Sequence, residues 1–116
     1  MKEPPAIYAT FSLTLKNLEI GRLHWQNDLW TWAYSEAFKN QSHIQPLITF
    51  PTVDKVYETE QLWPFFSSRI PSFNQPYVQD VLKRKQIDIN NTAAMLKEFG
   101  HRTIANPFAL QATALA

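Results

Sequence analysis

"TFSLTLKNLEIGRLHWQNDLWTWAY", Thr10 to Tyr34, decides the fold. Its apolar residues recur with a period of two: Phe11, Leu13 and Leu15 alternate with Thr10, Ser12 and Thr14. Leu18 to Trp25 and Leu29 to Tyr34 continue the pattern. Alternation of this kind marks half-buried strands. The breaks fall at Lys16-Asn17 and Gln26-Asn27-Asp28, and Asn and Asp tolerate the positive φ of tight hairpins. The stretch therefore predicts a three-stranded antiparallel meander. Gly21 inside the second strand predicts a bulge or a close backbone approach.

Downstream, "SEAFKN" (35–40) reads as a short helical turn, and "PLITF" (46–50) as a fourth strand at the sheet edge, because Pro46 and Pro51 bound it. Thr59, followed by Glu60, is the expected N-cap of a helix ending before Pro71, with Pro64 in its first turn or forcing a second start. Asn74 is expected to cap a helix from Gln75 to about Lys85, with Tyr77, Val78, Val81 and Leu82 on one face. Asn90 or Asn91 caps a third helix, which Gly100 ends. The tail from Ile104 has room for one more short strand, barred by Pro107 from a sheet centre. The expected fold is α+β: a small antiparallel sheet, made of the N-terminal meander and an edge strand, packed by about three C-terminal helices. A chain of 116 residues is the length of one domain, 1–116, with a frayed end at 1–6 and a tail at 111–116.

Composition narrows the function. The chain has 4 Trp, 4 Tyr and 8 Phe residues, a formal charge of +1 and no cysteine. Disulfides, thiol catalysis and cysteine-ligated zinc are excluded. The start "MKEPPAIYATF" carries no signal h-region and no apolar run has membrane-spanning length, so a cytoplasmic protein without a membrane partner is expected. The two glycines, Gly21 and Gly100, form no phosphate-cradling loop. His24, His43 and His101 lack metal-ligand spacing, so neither metal nor cofactor is expected. Glu58 and Glu60 suit a solvated helix start better than a catalytic pair. "KRK" (83–85) offsets the negative end of a helix dipole, diluted by Asp80 and Asp88. Trp30, Trp32 and Tyr34 share a strand face with Trp25 beside them. Such a row can stack nucleic-acid bases, but the low basic charge favours core.

The remaining feature is "LWPFFSSRIPS" (62–72). On a helix, Leu62, Phe65, Phe66 and Ile70 form one face and Trp63 lies about a hundred degrees off Leu62. Trp63 is either a core side chain or an exposed anchor.

"LEIGRL" (18–23), "QPLITFP" (45–51), "FFSSRIP" (65–71) and "LKEFGHRTIA" (96–105), in that order and spacing, resemble the N-terminal subdomain of HipA-type toxin kinases. That family shows V-G-x-L, P-L-S-x-x-x-P, F-F-x-N-L-L-P-E/D and I-G-x-D-x-x-G-A. Here Ser68, Arg69, Ile70 and Ser72 replace Asn, Leu, Leu and the acid, and Arg102 and Ala105 replace the late Asp and Gly. The chain is expected to stop where the kinase would begin. A free-standing copy resembles the HipS family, the small component of tripartite HipBST toxin–antitoxin systems.

The resemblance implies a non-enzymatic antitoxin that binds and inhibits a HipT-like serine/threonine kinase toxin near its nucleotide site. A HipB-like helix-turn-helix DNA-binding protein completes the ternary complex, with no direct nucleic-acid contact by this chain. Trp63 and Pro64 are then the docking tip, with Leu62, Ser67 and Arg69 as further partner contacts. The alternatives are an accessory subunit that completes a split kinase, and a stand-alone nucleic-acid-binding module.

Overall fold

The computed structural model describes residues 8–113; the end expected to fray, 1–6, lies outside them. Strands β1 (Tyr8–Leu15), β2 (Leu18–Gln26) and β3 (Leu29–Tyr34) form the meander that the alternating pattern predicts. The second hairpin turns on Asn27 and Asp28, both at positive φ. In the first, Lys16 rather than Asn17 takes the positive φ. Helix α1 (Glu36–Lys39) follows, N-capped by Ser35, whose hydroxyl accepts from the Phe38 N–H. The chain then adds β4 (Tyr57–Thr59), α2 (Pro64–Ser67), α3 (Pro76–Lys85), α4 (Thr92–Phe99) and β5 (Ala109–Ala112). The strands form an antiparallel sheet in the order β4-β3-β2-β1-β5. The fold is α+β.

Several boundaries differ from expectation. "PLITF" is not a strand. Leu47 to Phe50 is a tight turn, closed by the Phe50 N–H on the Leu47 carbonyl at 2.9 Å. Both of its ends are buried, so an apolar run between prolines has two core residues and an exposed tip instead of a strand's two faces. The edge strand is β4, and Thr59 ends it rather than capping a helix. Its hydroxyl accepts from the Gln61 N–H at 3.3 Å, the local turn that Ser and Thr also favour. The helix before Pro71 starts at Pro64, whose missing N–H suits the first helical position. Asn74 is not the cap of α3; Gln75 holds that position without a side-chain bond. Asn91 caps α4 through Ala94 N–H, and Gly100 ends it, as expected.

The inner sheet face carries Phe11, Leu13, Ile20, Leu23, Trp30, Trp32 and Tyr34, all nearly inaccessible. The aromatic row is core, so no stacking platform stands free on β3. Phe38, Leu47, Phe50, Leu62, Phe66, Ala93 and Leu96 cover that face. Helix α3 does not join this layer. Val78 and Leu82 pack on Met95 of α4 as a second small cluster, while Tyr77 stays exposed. Of the C-terminal helices, α2 and α4 supply buried residues to the sheet core and α3 buttresses α4. Lys85 of "KRK" bridges to Glu98 across the two helices at 3.0 Å, and Arg84 pairs with Asp80.

The opposite sheet face is polar. Glu19 accepts from Ser12 at 2.7 Å and from Arg22 at 2.8 Å. Burial alone would push its carboxyl up, but these hydrogen bonds and the Arg22 charge hold it below the usual range. His24 bonds to Thr10 across the β1–β2 pair, and burial, then the Arg22 charge, holds its imidazole below its ordinary value.

Register breaks between Leu13 and Thr14, where Gly21 and Glu19 are the partners and Ile20 bulges. The bulge's backbone is satisfied by Ser35: its N–H donates to the Ile20 carbonyl at 2.9 Å and its hydroxyl to the Glu19 carbonyl at 2.5 Å. One serine thus ties the bulge to the start of α1.

Tyr34, the residue before Ser35, has a comparable role toward the Leu47–Phe50 turn. Its hydroxyl accepts from the Leu47 N–H at 2.8 Å and donates to the Phe50 carbonyl at 2.6 Å. Tyr34→Phe leaves two buried backbone groups without partners and is expected to lower stability by about 2 kcal/mol in urea denaturation.

Candidate functional site

The segment from Gln61 to Ile70 is held by three local devices. The Thr59 turn reverses the chain after β4 and delivers Leu62 into the core, 7% exposed. Trp63 then takes an extended conformation (φ −61°, ψ 143°) as the N-cap of α2, and Pro64 begins the helix. The Trp63 carbonyl accepts from Phe66 and Ser67 N–H groups at 2.9 and 3.0 Å. Its backbone is therefore held at the head of a short helical turn.

The side chains of this segment divide sharply. Phe66 is fully buried, its ring 5.5 Å from Trp32 and 5.1 Å from Phe65. Phe65 and Ile70 are half-buried against the same core. Trp63 is half-buried, standing edge-on to Phe50 at 4.9 Å and tilted to Phe66 at 6.4 Å. Pro64 beside it is exposed. Of the five residues expected at a partner surface, Trp63, Pro64 and Ser67 reach solvent, whereas Leu62 and Arg69 turn inward.

Arg69 is the most displaced from expectation. At 5% exposure its guanidinium donates to the Gly100 and His101 carbonyls at 3.2 and 3.4 Å. It also donates to Asn106 Oδ1 and the Phe108 carbonyl, each at 3.1 Å. The first two are at the C-terminal end of α4, where a cation offsets the helix dipole. The others shape the loop leading to β5. Burial pulls its pKa down, but a guanidinium remains charged in proteins. The sequence displays the charge; only the fold shows that it faces four oxygens inside the chain.

Behind α2 lies a cleft of about 620 Å³. Trp25, Trp30 and Leu62 wall it, Ser67 and Asn91 contribute polar groups, and Asp28, Glu60 and Asp88 also line it. No lysine or arginine lines it, a charge pattern that repels phosphate backbones. The cleft joins the β2–β3 turn, the segment after β4 and the N-terminus of α4. These are far apart in sequence, and no local signal joins them. The exposed Ile48 tip also escaped sequence reasoning, because "PLITF" reads equally as strand. Its one clue is the pair of flanking prolines.

The described residues hold no group of three or more His, Asp or Glu side chains placed to bind a metal ion. They also contain no helix long and apolar enough to cross a membrane. No curated protein matches the chain. The family profile of the HipA N-terminal domain matches residues 12–105, from β1 to the loop before β5. That match runs from the middle of β1 through β2, β3, the Leu47–Phe50 turn, α2 and the α3–α4 pair, and the chain belongs to the HipA N-terminal domain family.

Proposed function

We propose that the domain acts by docking: it is an antitoxin that binds a HipT-like serine/threonine kinase near its nucleotide site and inhibits it in the cytoplasm. A HipB-like DNA-binding protein is the third member of the complex. Family membership supports a kinase partner. The observation that carries the docking surface is Trp63, half-buried on Phe50 at the head of α2 beside an exposed Pro64. A large aromatic anchored on one side and open on the other is the side chain that most often dominates a protein interface. Inhibition of this kind requires no chemistry from the domain. Preferential binding to an inactive arrangement of the kinase is sufficient.

Co-expression with a HipT-like kinase tests the reading. Rescue of growth is expected, and worsened toxicity would assign the chain an accessory, activating role instead. Trp63→Ala is expected to abolish rescue and weaken kinase binding about 50-fold, or ~2.3 kcal/mol. Its melting temperature should fall by less than about 5 °C. If truncation of Trp63 unfolds the domain, the residue is core and the anchor reading fails.

A further inference from the structure

The cleft behind α2 carries charge of one sign. Asp28, Glu60 and Asp88 line it, and no lysine or arginine does. Among the described residues these three carboxylates make no ion pair. They come from the β2–β3 turn, the segment after β4 and the loop before α4. The N-terminus of α4 also faces the cleft through Asn91 and Thr92. Its dipole supplies only about half a positive charge, and the Asn91 side chain already caps it. Three carboxylates outweigh that, so the cleft attracts a cation.

The wall selects the kind of cation. The carboxylates form no group placed to hold a metal ion. Trp25 is half-buried, with its ring centre 4.8 Å from that of Trp30, and both rings line the cleft. Trp30 is itself core, so Trp25 is an indole backed by a fixed ring. An aromatic platform beside separated carboxylates suits a guanidinium. Its plane stacks on an indole, its several N–H donors reach more than one carboxylate, and it is more weakly hydrated than an ammonium. A volume of about 620 Å³ also admits the backbone that carries such a side chain. Ser67 of the wall donates its backbone N–H to the Trp63 carbonyl at 3.0 Å, so the cleft and Trp63 are one turn of α2 apart. We propose that the cleft is an arginine-binding site, and that the kinase docked at Trp63 places an arginine side chain on Trp25 among the three carboxylates. Assigning the arginine to the kinase rests on the docking reading; the chemistry of the cleft does not.

Two experiments separate these points. In the first, the isotope-labelled chain is titrated with Nα-acetyl-arginine amide and followed by nuclear magnetic resonance, with the lysine and glycine analogues as controls. The Trp25 indole N–H and the Asn91 and Thr92 amides are expected to shift saturably with arginine, more weakly with lysine and not with glycine. The triple variant Asp28→Asn, Glu60→Gln, Asp88→Asn should lose the response yet melt with the wild type. Asparagine tolerates the positive φ at position 28 and keeps the oxygen that accepts from the Asn90 N–H at position 88. Absence of a saturable shift, its survival in the triple variant, or an equal response to lysine overturns the arginine site. In the second, titration calorimetry against a purified HipT-like kinase, the triple variant is expected to bind about tenfold more weakly than the wild type. Equal binding overturns the assignment to the kinase, as does a dimer of the chain alone that the triple variant dissociates in sedimentation. If the wild type does not bind the kinase, the docking reading fails, while the arginine titration still decides the cleft.

Discussion

Arg69→Ala is expected to lower the stability of the domain by about 4 kcal/mol. The guanidinium satisfies three backbone carbonyls and the Asn106 side chain from a buried position. Truncation removes the donor to the Gly100 and Phe108 carbonyls, whereas the His101 carbonyl still accepts from Leu110 N–H and Asn106 Oδ1 from Phe108 N–H, and an unsatisfied buried polar group costs about 1–3 kcal/mol. It also removes the positive charge at the C-terminal end of α4 and a guanidinium 5.8 Å from the Phe65 ring centre. For a domain of this size the melting temperature should drop by about 15 °C. Arg69→Leu should fare little better, because leucine fills volume but donates nothing. Arg69→Lys should retain part of the stability, since an ammonium reaches some of the oxygens but lacks the planar fork that spans both sides of the loop. Thermal melts of the three variants decide the matter. An Arg69→Ala variant that melts with the wild type yet fails to bind a partner would instead place the residue in an interface.

Gly21→Ala is expected to cost about 3 kcal/mol by overpacking. A Cβ on Gly21 would press on the Ala33 carbonyl of the neighbouring strand and stand 2.7 Å from two ring atoms of Trp32. Neither obstacle can withdraw cheaply. The carbonyl is fixed by the β2–β3 ladder. The Trp32 indole is fully buried among Tyr34, Phe50 and Phe66, at ring separations of 5.5, 5.1 and 5.5 Å. Relief therefore requires moving the centre of the core or opening the bulge at Ile20. Chemical denaturation of Gly21→Ala measures the loss. Combination with Trp32→Phe, a smaller ring, should recover part of the added penalty if the steric account is right. No recovery would point to the β2–β3 backbone contact alone.

The two variants also illustrate where sequence reasoning succeeds and stops. Gly21 was legible as a bulge or close approach, because a glycine within an alternating strand has few other reasons to be there. Arg69 was not. It follows two serines in a helix end and reads as a partner contact where the family has leucine, and its partners lie 31 to 39 residues further along the chain. The same contrast holds for the elements. The meander and α4 were legible because hydrophobic period, turn residues and caps agree over many residues. Strand β4 has only three residues, too few to show a period. "PLITF" reads as the edge strand in its place because a turn with two buried corners and a short edge strand share one composition. Thr59 followed by Glu60 matches a helix start as well as it matches the turn that actually follows β4.

The sequence by itself determined the hairpins, a bulge or close approach at Gly21, the family-like order of motifs and the exclusion of cysteine chemistry. Each of these depends on residues adjacent in the chain and on local backbone physics. The tertiary structure alone decided which aromatics of "LWPFFSSRIPS" are core. Helical spacing groups Leu62, Phe65, Phe66 and Ile70, but whether Trp63 opens outward depends on Phe50, which reaches it from a turn thirteen residues earlier. Burial is a property of what packs opposite, and the opposing surface of this segment is assembled from the sheet, the Leu47–Phe50 turn and α4.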